Sequence, residues 1–408
     1  MDKSESVETN LFAPGEKALR ILLVVYLPWE ARLGAVKVFM ELEQAWRAAG
    51  HSVEIFSMGQ AFPRLAASPP LFALRQVLFN YKAAAFIRKN AHAYDVVDAL
   101  IGSLRASKTK LRFRGLLVAR SVGLYRLYER FDRSASQRWP QAGGKLVGRI
   151  YYTVVGWWLR RASDAAIHHA DLINVPNEEE AACLRTEVNP DLPITVQAYG
   201  LPAPRRQAFA QAAAPAELRR ASRTISFVGA WSARKGAKDW GEIIRKVWAQ
   251  IPDARFVFLG TLTDNRNVLS DLALPESKLI DVVAEYQPDE LPRLLSNSVA
   301  GAFPSYAEGF GFALLEQLAS GIPTVAYDSP GPRSILNPDL AELLVPVGDV
   351  EKLSAALVGI LRANPTGYER LARQSRETAN RFNWSAIARE TAQCYRTGLA
   401  REHSHRGH

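Results

Sequence analysis

Residues 19–58 decide the fold, because a strand, a helix and a second strand follow one another there. Residues 19–27 read LRILLVVYL, a short apolar run rich in β-branched side chains that is typical of a buried strand. Residues 34–50, GAVKVFMELEQAWRAAG, place their apolar side chains at helical spacing, and Gly50 is a C-terminal stop signal. Residues 51–58, HSVEIFSM, form the second strand. This order predicts parallel strands joined by a crossover helix.

The same alternation continues along the chain with one interruption. Further strands are predicted at YDVVDAL, GLLVARS and DLINVP before it, and at RTISFVGAW, ARFVFLGT, VAGAFPS and IPTVAY after it. The interruption, residues 203–222, is rich in Ala, Pro and Arg. We therefore expect an α/β protein with two facing Rossmann-like domains, residues 1–203 and 223–383, joined by a linker at 204–222. The last helix, within residues 384–408, is expected to cross back to the N-terminal domain.

The composition is that of a globular protein. A length of 408 residues with 48% hydrophobic content suits two or three domains. Cys183 and Cys394 lie far apart and offer neither a disulfide framework nor metal-like spacing, which suits a reducing compartment. The N-terminal stretch is polar, and no apolar run approaches the ~20 residues of a membrane span. We expect a cytoplasmic protein, and we interpret the His-rich ending REHSHRGH as an unstructured tail.

The net charge of +10 is concentrated in residues 101–164, which hold fourteen Lys and Arg against three acids. Such a segment attracts phosphates, and it includes GRIYYTVVGWWLRRAS, whose aromatics stand between Arg residues as in interfacial helices. One interpretation is a peripheral contact with the anionic inner face of a membrane. The alternative is a helical surface whose Arg stems cover apolar side chains. Nucleic acid is not the expected partner.

Residues 306–321, YAEGFGFALLEQLASG, place two acids around a glycine loop. Glu308 follows the end of a predicted strand, and Gly309 and Gly311 let backbone N–H groups approach a ligand closely. A helix starting near Phe312 would direct its N-terminal dipole at an anion. Glu316 lies about one turn into that helix. Because ionised carboxylates accept hydrogen bonds, acids on both sides of a phosphate suit a nucleotide-sugar.

This stretch resembles the E-x7-E motif of retaining, nucleotide-sugar-dependent glycosyltransferases of the GT-B fold, especially glycosyltransferase family 4. The resemblance continues through GIPTVAYDSPGPRSIL and AELLVPVGDVEKLSAAL, and through HHADLINVPNEEEAACL and ITVQAYGLPAP before the linker. It covers most of residues 20–398 and is strongest in residues 224–360. It implies that Glu308 contacts the donor sugar and Glu316 the ribose. The backbone that would hold the sugar and diphosphate belongs to Gly309, Phe310, Gly311 and Phe312.

Two further loops complete the site that the resemblance implies. In FVGAWSARKGAKDW, Lys235 matches a lysine of the family, whereas Ala230 stands where the family usually has an arginine. We expect Lys235 to neutralise the leaving diphosphate and Arg234 to substitute for the missing arginine. Gly34 matches one glycine of a usual pair, and Leu33 replaces the other.

The strand end VARSVGLYRLYERF carries the remaining candidate. Arg120 is an acceptor-side candidate, for which the alternative is a structural role. Val122 occupies the position of a histidine that related enzymes often have close to the donor sugar.

The resemblance implies a retaining glycosyltransferase that transfers a sugar from a nucleotide-sugar to a hydroxyl acceptor. We expect no cofactor and no metal, because no Asp-x-Asp pair appears and the cations and helix dipoles would do a metal's work. The expected acceptor is a glycan or lipid-linked intermediate of bacterial surface or exopolysaccharide synthesis. The alternatives are a sugar-nucleotide epimerase and a non-catalytic GT-B binding protein. The departures at Ala230 and Val122 favour the binding protein, and the intact acid pair opposes it.

Overall fold

The computed structural model describes residues 17–30, 34–63, 69–138, 146–274 and 277–406. Twelve strands in these ranges form two sheets of six strands each, and all their neighbouring strands are parallel. The predicted α/β architecture is therefore confirmed.

The first half of the chain builds the first sheet. Its strands are β1 (Arg20–Val25), β2 (Ser52–Ser57), β3 (Val96–Leu100), β4 (Leu116–Arg120), β5 (Leu172–Val175) and β6 (Ile194–Val196), in the order β2-β1-β3-β4-β5-β6. Its helices are α1 (Gly34–Ala48), α2 (Met58–Ala61), α3 (Pro69–Asn90), α4 (Lys108–Leu111), α5 (Tyr125–Arg138), α6 (Leu146–His169) and α7 (Glu178–Glu187). β2 lies on one side of β1, and β3 to β6 follow on the other side. The strand order therefore reverses between β1 and β3.

The second half repeats this plan. Its strands are β7 (Thr224–Val228), β8 (Arg255–Leu259), β9 (Ile280–Val283), β10 (Ser298–Phe303), β11 (Thr324–Tyr327) and β12 (Leu344–Val345), in the order β12-β11-β10-β7-β8-β9. Its helices are α10 (Trp240–Trp248), α11 (Asn265–Leu272), α12 (Leu291–Leu295), α13 (Phe312–Ala319), α14 (Pro330–Leu336), α15 (Val350–Arg362) and α16 (Pro365–Arg381). Here the strand order reverses between β7 and β10.

The segment between the sheets is helical. Residues 204–222, expected to be a linker, fall almost entirely in α8 (Ala203–Ala212) and α9 (Ala216–Ser222). Both helices pack against the second half: α8 contacts α12 and α13, and α9 contacts β10 and α16. Pro204 and Pro215 stand at the starts of these helices, where a missing N–H costs nothing. The Pro-rich composition therefore marks helix starts as well as the change of sheet.

The last helix, α17 (Trp384–Arg406), returns to the first half as predicted and contacts α1 and β4. The indole Nε1 of Trp46 in α1 donates to the carbonyl of Ala388 at 2.9 Å. A buried aromatic ring links the halves: the ring centroid of Tyr199 lies 5.4 Å from that of Phe310 and 6.0 Å from that of Trp384. One apolar core therefore runs through both sheets and the returning helix.

Candidate functional site

The loops after β7 and β10 meet where the strand order of the second sheet reverses. Ligands of open parallel sheets bind at such a position, beyond the carboxyl ends of the strands. Gly236 lets the two loops touch, because a Cβ there would lie 2.3 Å from the carbonyl oxygen of Pro304, and its φ of +80° is left-handed. The backbone N–H of Tyr306 donates to the carbonyl of Arg234 at 2.9 Å. The contact fixes the two predicted site loops against each other.

Lys235 and Glu308 form an ion pair at this junction. The ammonium of Lys235 donates to the Glu308 carboxylate, and their side chains are only 14% and 15% exposed. The structure thus brings together two residues that stand 73 positions apart in the chain. A partly buried cation beside a carboxylate can serve an anionic group and hydroxyl groups at once.

Arg234 lies beside this pair and reaches the first half of the chain. Its Nη1 donates to the carbonyl of Ala307 at 3.0 Å and lies 3.8 Å from the Glu308 carboxylate. Its guanidinium stands 5.1 Å from the ring centroid of Tyr128 in α5. Burial, together with the negative charge of Glu308, raises the pKa of the Tyr128 hydroxyl. Arg234 is therefore held between the two halves.

The glycine loop before α13 is pressed against the first half. Gly311 precedes α13 with a φ of +108°, which favours glycine. A Cβ on Gly309 would lie 3.1 Å from the Cα of Gly123 and 3.3 Å from an oxygen of Glu180. The side-chain amide of Asn177 donates to the carbonyl of Gly309 at 2.6 Å. The carbonyl of Gly309 therefore already accepts a hydrogen bond from the first half of the chain.

The side chains of the two phenylalanines of the loop pack in the apolar core and do not line the cleft. Phe310 is 3% exposed, and Phe312 is partly buried against the same core. The rings of both lie against Tyr199, with the Phe312 ring nearly parallel to it at 6.1 Å. These positions therefore remain candidates for ligand binding through their backbone.

Glu316 is not a solvated residue of a helix face. It is 7% exposed, and its carboxylate faces two cations from other elements. The Nη2 of Arg205 lies 3.1 Å from its Oε1, and the Nζ of Lys37 lies 3.4 Å from the same oxygen. Lys37 belongs to α1 in the first half, so this acid too connects the halves.

Arg120 corrects one prediction. It is fully buried at the end of β4, and its guanidinium donates to Asp98 at 2.8 Å, to the Tyr395 hydroxyl at 2.7 Å and to the Asn174 side chain at 2.9 Å. A side chain so enclosed cannot contact an acceptor in this structure. Arg120 is instead the centre of a buried polar network that ties β3, β4 and β5 to α17.

Four other positions were singled out in the sequence, and the structure describes three of them. Gly34 is the first residue of α1, and a Cβ there would meet no atom of the described residues within 4 Å. Leu33 lies outside the described residues. Val122 is partly buried against the core, and Ala230 is partly exposed.

Sequence reasoning missed Glu180, which is 0% exposed in the first turn of α7. The hydroxyl of Ser121 donates to its carboxyl at 2.5 Å and the N–H of Leu124 at 3.3 Å. Burial raises the pKa of this carboxyl to about 7, against which the two donors act. Glu180 follows Glu178 and Glu179, which are both exposed. The sequence alone therefore does not distinguish the buried acid from its two exposed neighbours.

Replacing Glu180 by glutamine should change how stability depends on pH. The folded-state pKa, about 7, exceeds the ordinary 4.5, so the stability of the wild type falls as pH rises between these values. The variant does not titrate there. From pH 5 to pH 8 its free energy of unfolding should gain about 2–3 kcal/mol relative to wild type. Urea denaturation at both pH values measures this, with the exposed Glu178→Gln as control; parallel wild-type and variant profiles would contradict it.

A cleft of about 300 Å³ opens beside Glu308 between the two halves. Aromatic side chains line it together with acids and an arginine. They include Tyr128, Phe131, Tyr306, Arg130, Glu179 and Glu308. Apolar walls with a few polar groups are typical of small-molecule sites.

Five of the fourteen cations of the basic segment form ion pairs among the described residues: Lys108, Arg120, Arg126, Arg130 and Arg160. Lys108 pairs with Asp171 at 2.7 Å and with Glu402 at 2.6 Å. Arg126 pairs with Asp164 at 2.6 Å. In the interfacial-type helix, Trp157 is 51% exposed and stacks with Arg161, while the side chains of 148–155 lie outside the described part. The ending expected to be an unstructured tail is helical over residues 401–406, which belong to α17, and residues 407–408 are not described.

Membrane spans and metal clusters are both absent from the described ranges. No helix there is long and apolar enough to cross a membrane. Within the same ranges, no three or more His, Cys, Asp or Glu side chains come together in a group that could hold a metal ion.

Comparison with known proteins gives the class of the second half. Residues 211–380, which contain the whole second sheet and both site loops, match the family described as Glycosyl transferases group 1. A phosphatidyl-myo-inositol mannosyltransferase of Mycolicibacterium smegmatis is 30% identical over 181 residues, 44% of this chain and 46% of that protein. The chain spans less than half the length of the curated relatives that it matches first.

Solved structures resemble the chain over nearly its full length. Sucrose-phosphate synthase from Thermosynechococcus elongatus aligns with a TM-score of 0.71 at 20% identity, covering 93% of this chain and 99% of that one. Alr3699/HepE of Anabaena, in complex with UDP and glucose, aligns with a TM-score of 0.62 at 15% identity, covering 92% and 99%. At these identities the likeness establishes the fold, and that fold is GT-B.

Proposed function

We propose that this protein is a glycosyltransferase that transfers a sugar from a nucleotide-sugar to a hydroxyl group of an acceptor. One observation carries the proposal. Glu308 and Lys235 are paired at the switch point of the second sheet, and Glu316 stands one helical turn beyond the glycine loop. The match of residues 211–380 to group 1 glycosyl transferases supports the same activity.

Each residue has a chemical task in this proposal. Glu308 accepts hydrogen bonds from the sugar hydroxyls, and Glu316 accepts them from the ribose. Lys235 and the N-terminus of α13 stabilise the charge that develops on the leaving diphosphate. The acceptor binds in the cleft lined by Tyr128, Phe131 and Tyr306. The bound acceptor excludes water from the reacting carbon of the sugar.

The finer features are proposals of the same kind. We propose that transfer retains the anomeric configuration, needs no metal ion and serves bacterial surface or exopolysaccharide synthesis at the cytoplasmic side of the membrane. Relatives named for mannosyl transfer to phosphatidyl-myo-inositol and for glycosyl transfer to inositol 3-phosphate favour a hexose donor and a phosphate-bearing acceptor. The anomeric proton couplings of the product and activity in EDTA test the first two features.

A thermal-shift panel of UDP-, GDP- and ADP-sugars tests donor binding. At a concentration of about 100 Kd, a true donor stabilises the folded state by about 2.7 kcal/mol, which for a chain of this length raises the Tm by about 3 °C. The Glu316→Gln variant should lose the shift, whereas Glu351→Gln, an exposed acid of α15, should keep it. If no nucleotide-sugar raises the Tm, the proposed function fails.

Two rival functions give different products from the same samples. An epimerase would convert the stabilising donor into another sugar nucleotide without any acceptor. A non-catalytic binding protein, which Ala230 and Val122 favour, would show the thermal shift and release no nucleoside diphosphate with any acceptor. A glycosyltransferase releases nucleoside diphosphate only slowly from donor alone and rapidly with the right acceptor.

A further inference from the structure

Two cations from outside the motif converge on Glu316. Lys37 comes from the first turn of α1, and Arg205 comes from α8 between the sheets. Their side chains are 22% and 18% exposed, and both lie within 3.4 Å of one oxygen of Glu316, whose side chain is 9% exposed. Three elements that are remote in sequence therefore meet in one largely buried ionic cluster.

The cluster lies alongside the start of α13. The ammonium of Lys37 stands 5.2 Å from the ring centroid of Phe312, the first residue of that helix. Arg205 is anchored by donating to the carbonyl of Pro288, and its guanidinium stacks 4.8 Å from the ring of Phe209. Lys37 thus lies beside the first residue of α13, whose N–H groups are proposed to receive the diphosphate, and Arg205 reaches the same Glu316 oxygen as Lys37.

The cluster holds another acid and a phenol. Burial raises the pKa of the Glu41 carboxyl, although the charges of Lys37 and Arg205 act in the opposite direction. Burial and the charge of Glu316 raise the pKa of the Tyr286 hydroxyl, which Arg205 acts to lower. Two cations therefore share two acids in a region with little solvent, where charges interact strongly.

We propose that Lys37 and Arg205 are ligands of the donor's diphosphate. The inference rests on the proposed function and adds two cations to Lys235. In the empty site they pair with Glu316. When the donor binds, the ribose hydroxyls donate to the Glu316 oxygens. These hydroxyls are neutral, whereas the diphosphate beside them is negatively charged and attracts the two cations. Lys37 and Arg205 then turn from the carboxylate to the phosphates.

The proposed diphosphate ligands come from both halves of the chain. Lys235 and α13 belong to the second half, whereas Lys37 belongs to the first. In the empty site the halves are linked here by the Lys37–Glu316 ion pair, and a diphosphate bound by all three cations would replace that link by one through the donor.

Nucleotide binding to the variants Lys37→Met and Arg205→Met tests the inference. The probes are the nucleoside mono- and diphosphates of the base that stabilises the wild type, titrated by calorimetry. Each variant should bind the diphosphate about 10- to 100-fold more weakly, because a charge-assisted contact is lost. Affinity for the monophosphate should fall much less, so the ratio of the two affinities should collapse. Lys37→Arg should retain the ratio.

Controls separate this role from a structural one. Lys246→Met removes the same charge from α10, where the lysine pairs with Glu351, and should leave the ratio unchanged. If Lys37 and Arg205 only position Glu316 for the ribose, both affinities fall together, and the inference is overturned. It is also overturned if neither affinity changes. If the wild type binds no nucleoside diphosphate, the proposed function itself fails.

Discussion

Replacing Arg120 by methionine is expected to lower the free energy of unfolding by about 3–5 kcal/mol, because it leaves the Asp98 carboxylate buried without its partner. Both side chains are 0% exposed, and the guanidinium meets Asp98 at 2.8 Å. The Tm should fall by about 5 °C for a chain of this size. Chemical denaturation followed by fluorescence measures the loss, and the variant should still fold at low temperature.

A matched control exists in the same sheet. Arg20 and Asp95 also pair at 2.7 Å, but their side chains are 51% and 30% exposed. Arg20→Met should therefore cost no more than about 1 kcal/mol. The double variant Asp98→Leu with Arg120→Met should recover part of the loss, since no unpaired charge stays buried. An equal decrease in the free energy of unfolding for Arg20→Met and Arg120→Met would show that the buried network contributes no more to stability than the exposed ion pair.

The second large effect is expected at Glu308. Glu308→Gln should lower kcat/KM by about 10²-fold or more, because the amide replaces a charged acceptor of the sugar hydroxyls and leaves Lys235 without its partner. Affinity for the free nucleoside diphosphate should stay within about threefold, since the acid is proposed to contact the sugar. Steady-state kinetics with the donor from the thermal-shift panel measures the first quantity, and calorimetry measures the second.

Glu351→Gln is the control for this experiment, because it changes an acid of the same half that is 75% exposed. Its kcat/KM should match the wild type. A Glu308→Gln enzyme with unchanged turnover would remove Glu308 from the proposed mechanism. A variant that loses nucleotide binding as well would instead move the acid from the sugar to the nucleotide end of the donor.

The strands that carry the site were predictable because they are buried and apolar. β1, β7 and β10 are nearly continuous apolar runs, and each ends close to a proline or a glycine. The strands β6, β9 and β12 at sheet edges escaped prediction. Each is short and has at most one fully buried residue, whereas β5 and β11, which have four residues each and were predicted, are mostly buried.

The site was predictable where it is local and hidden where it depends on distant partners. Glu308, Gly311 and Glu316 lie within nine consecutive residues, so their spacing is visible in the sequence. For Arg120 the sequence could not decide between an acceptor-side and a structural role, because the tyrosine that accepts its hydrogen bond lies 275 residues away. Arg205 was missed for the same reason: it stands in the expected linker, and its acid lies 111 residues further on.

The return of α17 has a consequence for the order in which the molecule is made. Tyr395 in this helix donates to Asp98 at 2.5 Å and accepts from Arg120, and Ala388 accepts from Trp46. A ribosome makes Tyr395 after both sheets, so the hydrogen-bond network of the first sheet stays incomplete while the second half of the chain is translated. The second sheet can finish before the first, although it is synthesised later.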